Sequence, residues 1–181
     1  AKVIANDNCF QVCFTDPNQG TASADYIASK GLATKVAVIY NSSDAYSSGI
    51  YDNFKAEAAA KGLDIVASEA FTGDSKQDFS SQLSKVKASG AELIFLPIYY
   101  QAKNAGITAK FFGCDGLDGL LNIENFDKSL AENVMLLTPF AANATDETTK
   151  KFVAAYNAKY DPSTLNQFAA DAYDAVYVVK A

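Results

Sequence analysis

Short β-branched runs alternate with stretches of helical period along the first two thirds of the chain. No other feature narrows the fold as much. "KVAVIY" (35–40) is brief, apolar and β-branched, which predicts a buried strand. From Tyr46 to Lys61, Ile50, Phe54 and Ala58 recur at i, i+4 and predict a helix, with Gly62 closing it. "LDIVASEAF" (63–71) reads as the next strand. "SKQDFSSQLSKVKASG" (75–90) carries Phe79, Leu83 and Val86 at helical spacing and again ends in glycine. "AELIFLPIYY" (91–100) is a third strand, and "AKFFGCDG" (109–116) and "ENVMLLTPF" (132–140) supply two more.

This β-α-β-α-β pattern with continuously apolar strands predicts an α/β fold. The sheet is doubly wound and parallel, with helices on both faces. Ligands of such sheets bind beyond the carboxyl ends of the strands. The turn "NSSDAY" (41–46) follows the first strand at such an end, so Tyr46 stands where a ligand would be met.

Two stretches fit this scheme badly. Only about eleven residues separate the strand ending near Ile98 from the one starting near Lys110, and a parallel crossover needs about a dozen or more. Either the unit is abbreviated or residues are absent after Tyr100 or Gln101. The last third then turns helical. "DETTKKFVAAYNAKY" (146–160) carries a stripe of Phe152, Val153, Tyr156 and Tyr160. "NQFAADAYDAVYVVKA" (166–181) is apolar over most of its circumference, a helix that expects burial on more than one side.

Composition excludes several functions. The net charge is −6, and all the basic residues are lysines. Nucleic acid is therefore not an expected partner, because phosphate binding needs a basic patch and base reading leans on arginine. The absence of histidine removes the commonest general base and metal ligand. Cys9, Cys13 and Cys114 form no zinc pattern, so neither metal nor cofactor is expected. If Cys9–Phe14 is a strand, Cys9 and Cys13 lie about 13 Å apart and cannot bridge. The cysteines then read as small buried hydrophobes, with a Cys13–Cys114 contact left open. The glycine spacing of "GDSKQD" (73–78) cradles no phosphate, so it reads as a solvated turn. No apolar run approaches the roughly 20 residues of a membrane span. The N-terminus shows no signal-peptide pattern, which leaves the chain cytosolic, already processed or a fragment.

Five stretches together, "CFTDPNQG", "VAVIYNSSDAYSSGIYDNFKAEAAAKG", "FTGDSKQDFSSQLSKVKASGAELIFLPIYY", "KFFGCDG" and "QFAADAYDAVY", resemble the type I periplasmic binding proteins that deliver branched-chain amino acids to ABC transporters. Their order and spacing carry the resemblance from about Cys9 onward. That family has two similar α/β lobes joined by three crossing segments, with ligand between the lobes. The resemblance implies that residues 1–138 are the second, flavodoxin-like lobe, with the hinge crossed near 14–16. Residues 139–181 would be a crossing segment and extra C-terminal helices that pack on a first lobe missing from the chain. The over-apolar last helix would then be explained, and self-association through the C-terminal helices becomes an expectation. The family has a complete helix after the "YY", so the stretch after Tyr100 departs from it.

The resemblance also implies site residues, each beside a plainer reading. Tyr46 matches a tyrosine that faces the ligand; the alternative is an exposed aromatic at a capping turn. Asp44 reads as the N-cap of the same helix. Asp115 in "GCDG" matches an acidic residue that pairs with the ligand's α-ammonium group through a charge-assisted hydrogen bond; the alternative is an Asp-Gly turn. Tyr99 and Tyr100 end the third strand on opposite sides, so one of them is expected to face the cleft. Asp16 and Gln19 in "TDPNQG" stand at the hinge side of the cleft or in a turn. Phe140 and Phe168 read as core or lobe-packing aromatics.

The expected function is non-catalytic. An extracytoplasmic protein, in the periplasm or lipid-anchored at the cell surface, would close its lobes on a branched-chain or related aliphatic amino acid. It would hand that amino acid to the membrane permease of an ABC importer. Two other readings fit the same sheet: a flavodoxin-like enzyme or carrier, and the ligand-sensing domain of a receptor.

Overall fold

Five parallel strands form one sheet in the order β2-β1-β3-β4-β5. The strands are β1 (Lys35–Asn41), β2 (Asp64–Phe71), β3 (Leu93–Leu96), β4 (Lys110–Gly113) and β5 (Val134–Leu136). The computed structural model describes residues 6–73, 79–96, 107–122 and 126–181. The order reverses between β1 and β3, because β2 is added on one side of β1 and β3, β4 and β5 on the other. Open α/β sheets bind ligands outside the carboxyl ends of their strands at such a reversal.

The strands lie where the apolar runs put them. β1 is buried at Val36, Ala37, Val38 and Ile39, and all four residues of β3 are buried. Burial of consecutive residues means that both faces are covered, as a parallel sheet requires. On one face Val36, Val38, Leu93 and Phe95 form a single cluster with Ala24, Ile27, Ile50 and Phe54 of two helices. Phe54 stacks on Phe95 with ring centroids 4.0 Å apart. Those helices are α1 (Asp16–Ser29) and α2 (Ala45–Lys61). Asp44 caps α2 by accepting the Ser47 N–H at 3.0 Å, and Gly62 ends it with a left-handed φ of 73°.

Several elements differ from expectation. From sequence no helix is expected at α1, whose first residues, Asp16 and Gln19, are placed at the hinge side of the cleft or in a turn. Its start carries Pro17 and Asp16 in the first turn, a favourable N-terminus. Gly20 and the small polar residues after it hide the apolar stripe of Ala24 and Ile27. Cys9–Phe14 is not a strand: the Cys9 N–H turns back to the Asn6 carbonyl at 3.0 Å, and Gln11 Nε2 reaches the Phe14 carbonyl at 2.9 Å. All three cysteines are free thiols, Cys13 exposed and Cys114 buried.

α3 (Ser80–Ala88) is shorter than expected, and Phe79 stands at its N-cap instead of on its face. There it meets Phe71 edge-on at 4.9 Å. β5 begins late because Asn133 adopts a left-handed φ of 67° just before it. The expectations for residues 74–78, and for the short connection after β3, lie outside the described residues.

By compactness the chain divides into two units. Thr15–Leu117 with Asp127–Leu137 holds the sheet, α1, α2 and α3. Ala1–Phe14, Asp118–Phe126 and Thr138–Ala181 make up the other, which contains α4 (Glu147–Asn157) and α5 (Gln167–Lys180). Within that second unit Phe152 is the aromatic hub, 5.7 Å from Phe140 and 4.9 Å from Tyr173. Phe140 is thus a packing residue, as expected. Phe168 is not in a core: it is 56% exposed, and Val176, Tyr177 and Val179 are also exposed on α5.

Candidate functional site

The sheet unit gathers its polar side chains at the carboxyl end of β1 and β4. The turn after β1 is held by its own sequence. Asn41 Oδ1 accepts from the Ser43 backbone at 3.0 Å and from the Ser43 hydroxyl at 2.8 Å. The buried Ser47 hydroxyl lies 2.9 Å from the Asn41 N–H and accepts from it. With Asp44 as cap, this turn sets Tyr46 in the first turn of α2.

From there the Tyr46 hydroxyl donates to Asp115 Oδ1 at 2.6 Å, a length typical of a bond to an ionised oxygen. The same hydroxyl accepts the Gly116 N–H at 3.1 Å. Asp115 and Gly116 directly follow Cys114 and β4 and open a short 3-10 turn, Asp115–Leu117. Asp115 sits in a tight turn, and its carboxylate is directed at a tyrosine brought from a different strand-helix unit. A self-contained turn would need no such partner.

The Asp115 backbone is gripped as well. Its N–H donates to Gln19 Oε1 at 3.1 Å. Gln19 is only 1% exposed, and its other amide atom, Nε2, is buried with no partner among the described residues. One turn along α1, the buried Ser23 hydroxyl lies 3.9 Å from Cys114 Sγ.

Asp16, at the N-terminus of α1, has its carboxyl held above the ordinary value, first by desolvation and then by the Asp115 carboxylate. These two carboxylates repel each other. Burial, and after it the hydrogen bond to Asp115, pushes the Tyr46 phenol well above its usual range, so it stays neutral and donates. Burial also pushes the Cys114 thiol up to about 12, which leaves it inert as a nucleophile at neutral pH. Among the described residues no group of three or more histidine, cysteine or acidic side chains is arranged to hold a metal ion. No helix among them is long and apolar enough to cross a membrane.

Of the residues singled out from sequence, Tyr46, Asp115, Asp16 and Gln19 come together here. Tyr99 and Tyr100 lie outside the described residues. Asn41 and Ser47, which order the turn, were not singled out. Their only sequence signal was membership in a polar run between a strand and a helix.

The family model described as "Periplasmic binding protein" matches residues 3–181. The chain belongs to the periplasmic binding protein family. Among curated relatives of this chain is a "Leu/Ile/Val-binding protein homolog 3" of Brucella melitensis, 32% identical over 184 residues; the match takes in 97% of this chain and 48% of the relative. Among solved structures, a leucine binding protein of Thermotoga maritima has a TM-score of 0.73 at 28% identity. It is matched by 92% of this chain over 49% of its own length. A branched-chain amino acid transporter substrate binding protein of Streptococcus pneumoniae, solved with isoleucine, has a TM-score of 0.74 at 28% identity, with the same two coverages. The chain spans about half the length of these relatives, or less.

Proposed function

We propose that this chain is a portion of an extracytoplasmic solute-binding protein that takes branched-chain or related aliphatic amino acids. The carrying observation is the half-buried Asp115 carboxylate, held by Tyr46 at the carboxyl edge of the sheet. The nearby Asp16 carboxyl, which its repulsion with Asp115 helps hold above the ordinary value, adds negative potential there. An α-ammonium group relieves that repulsion and donates a charge-assisted hydrogen bond to the carboxylate. One relative named a Leu/Ile/Val-binding protein homolog and another solved with isoleucine support the same class of ligand.

The sheet unit is the second lobe in this reading. The ligand's own carboxylate is then held by a lobe outside this chain, and residues 139–181 are the segment that crosses toward it. The protein does no chemistry on its ligand. Lobe closure trades exposed cleft surface for ligand contacts, and the closed form is what the membrane permease of an ABC importer accepts.

Calorimetry on the full-length protein with leucine, isoleucine and valine tests the reading, with 4-methylpentanoate as a control that keeps the leucine side chain but lacks the ammonium group. Binding of the amino acids without binding of the control is expected. Equal affinity for the control, or no binding of any of the three, would overturn it.

A further inference from the structure

We propose that Gln19 is a positioning residue for ligand binding: it fixes the backbone at Asp115 so that the carboxylate is presented beside Tyr46. This rests on the function proposed above. A backbone N–H can only donate, so the bond from Asp115 fixes which way the Gln19 amide faces, with Oε1 toward Asp115 at 3.1 Å. Asp115 is thereby held at two points. Gln19 holds its main chain from α1, and Tyr46 holds its carboxylate from α2.

The two holding points belong to one rigid frame. A Cβ added at Gly20, the next residue, would collide with the Ile50 carbonyl oxygen and stand 2.7 Å from the Phe54 nitrogen. The α1 backbone therefore lies directly against the α2 backbone, and Gln19 and Tyr46 cannot drift apart. Ser23, one turn further along α1, lies 3.9 Å from Cys114 Sγ at the exit of β4.

A purely structural role explains Gln19 poorly. Its Nε2 is a buried donor without a partner among the described residues. For stability alone an apolar side chain of the same size would do about as well, since it exchanges the unpaired Nε2 for an unpaired Asp115 N–H. What the amide supplies and methionine cannot is the acceptor for the Asp115 N–H.

The test combines Gln19→Met, which keeps the volume and removes the acceptor, with Asp115→Ala. Carbon-13 spectra of the Tyr46 ring Cζ and the Asp115 Cγ are recorded in the wild-type and Gln19→Met chains. Leucine affinity is measured by calorimetry in the full-length protein for both single variants and the double variant. Both resonances should move in Gln19→Met while the melting midpoint changes little. Leucine affinity should fall roughly two- to tenfold in the wild-type background and not at all in the Asp115→Ala background, because the effect acts through the carboxylate. Unmoved resonances, or the same loss in both backgrounds, would overturn the inference. If Asp115→Ala alone leaves leucine affinity unchanged, the proposed function fails instead, and the spectra still decide whether Gln19 places Asp115. Should Gln19→Met not fold, Gln19→Asn serves: its amide is one carbon too short to reach.

Discussion

Asp115→Asn separates a ligand-binding carboxylate from a turn residue. Asparagine is near-isosteric, suits the same turn and can still accept from the Tyr46 hydroxyl, which lies 2.6 Å from Oδ1. The substitution exchanges a charge-assisted bond for a neutral one about half as strong, a loss of about 1 kcal/mol. Against that, it removes the negative charge that helps hold the Asp16 carboxyl above its ordinary value. The two effects oppose each other, so the melting midpoint should move by no more than about 4 °C. Ligand binding has no such offset. Losing the charge-assisted bond to an α-ammonium group removes about 1.5–3 kcal/mol, roughly a ten- to hundredfold loss of affinity. Calorimetry with leucine on the full-length protein, beside a thermal melt, measures both. An NMR titration of Asp16 adds an internal check. Its carboxyl should titrate lower in the variant, yet still above the ordinary value of 3.8, because desolvation, the larger cause, remains. Unchanged leucine affinity would remove Asp115 from the site and with it the case for an amino-acid ligand. Parallel losses of affinity and stability would refute the reasoning differently, by making Asp115 a structural residue.

Tyr46→Phe should flatten the alkaline stability profile: the unfolded phenol ionises near its ordinary value of 10.0 while the folded one keeps its proton to higher pH. The wild type therefore loses stability as pH rises from about 10 to 12, and the variant, compared by urea unfolding at each pH, should lose less. Gly20→Ala should cost about 1–3 kcal/mol by forcing α1 off α2, whereas Gly49→Ala, where a Cβ meets open space, should gain up to about 1 kcal/mol; denaturant midpoints compare the two. The 181-residue chain alone should bind leucine, isoleucine and valine weakly or not at all, since it holds only the ammonium-pairing half of the proposed site; micromolar binding by calorimetry would contradict that division.

How legible the molecule was depends on the range of the signal. Val36–Ile39 and Leu93–Leu96 were readable because a strand buried on both faces must be apolar throughout. α2 was readable from Ile50, Phe54 and Ala58 and from its two ends, Asp44 and Gly62. α1 was not, because its closest packing is made by Gly20, which shows as an absence of side chain and resembles a turn signal in one dimension. The lengths of β4 and β5 were overestimated because pairing with neighbours sets where they stop, and the left-handed Asn133 sets where β5 starts.

The site divides along the same line. Local pattern alone established a parallel α/β sheet, put Tyr46 at a strand's carboxyl end and made Asp44 a cap, since each depends on residues within a few positions. The pairing of Tyr46 with Asp115 across 69 positions, and of Gln19 with the Asp115 backbone across 96, depends on how strands order themselves in the sheet. The hydrogen bonds that select partners at that distance carry no periodic trace in the chain. They arise only because β1 and β4 flank β3 and α1 lies against α2, which brings three remote segments to one edge.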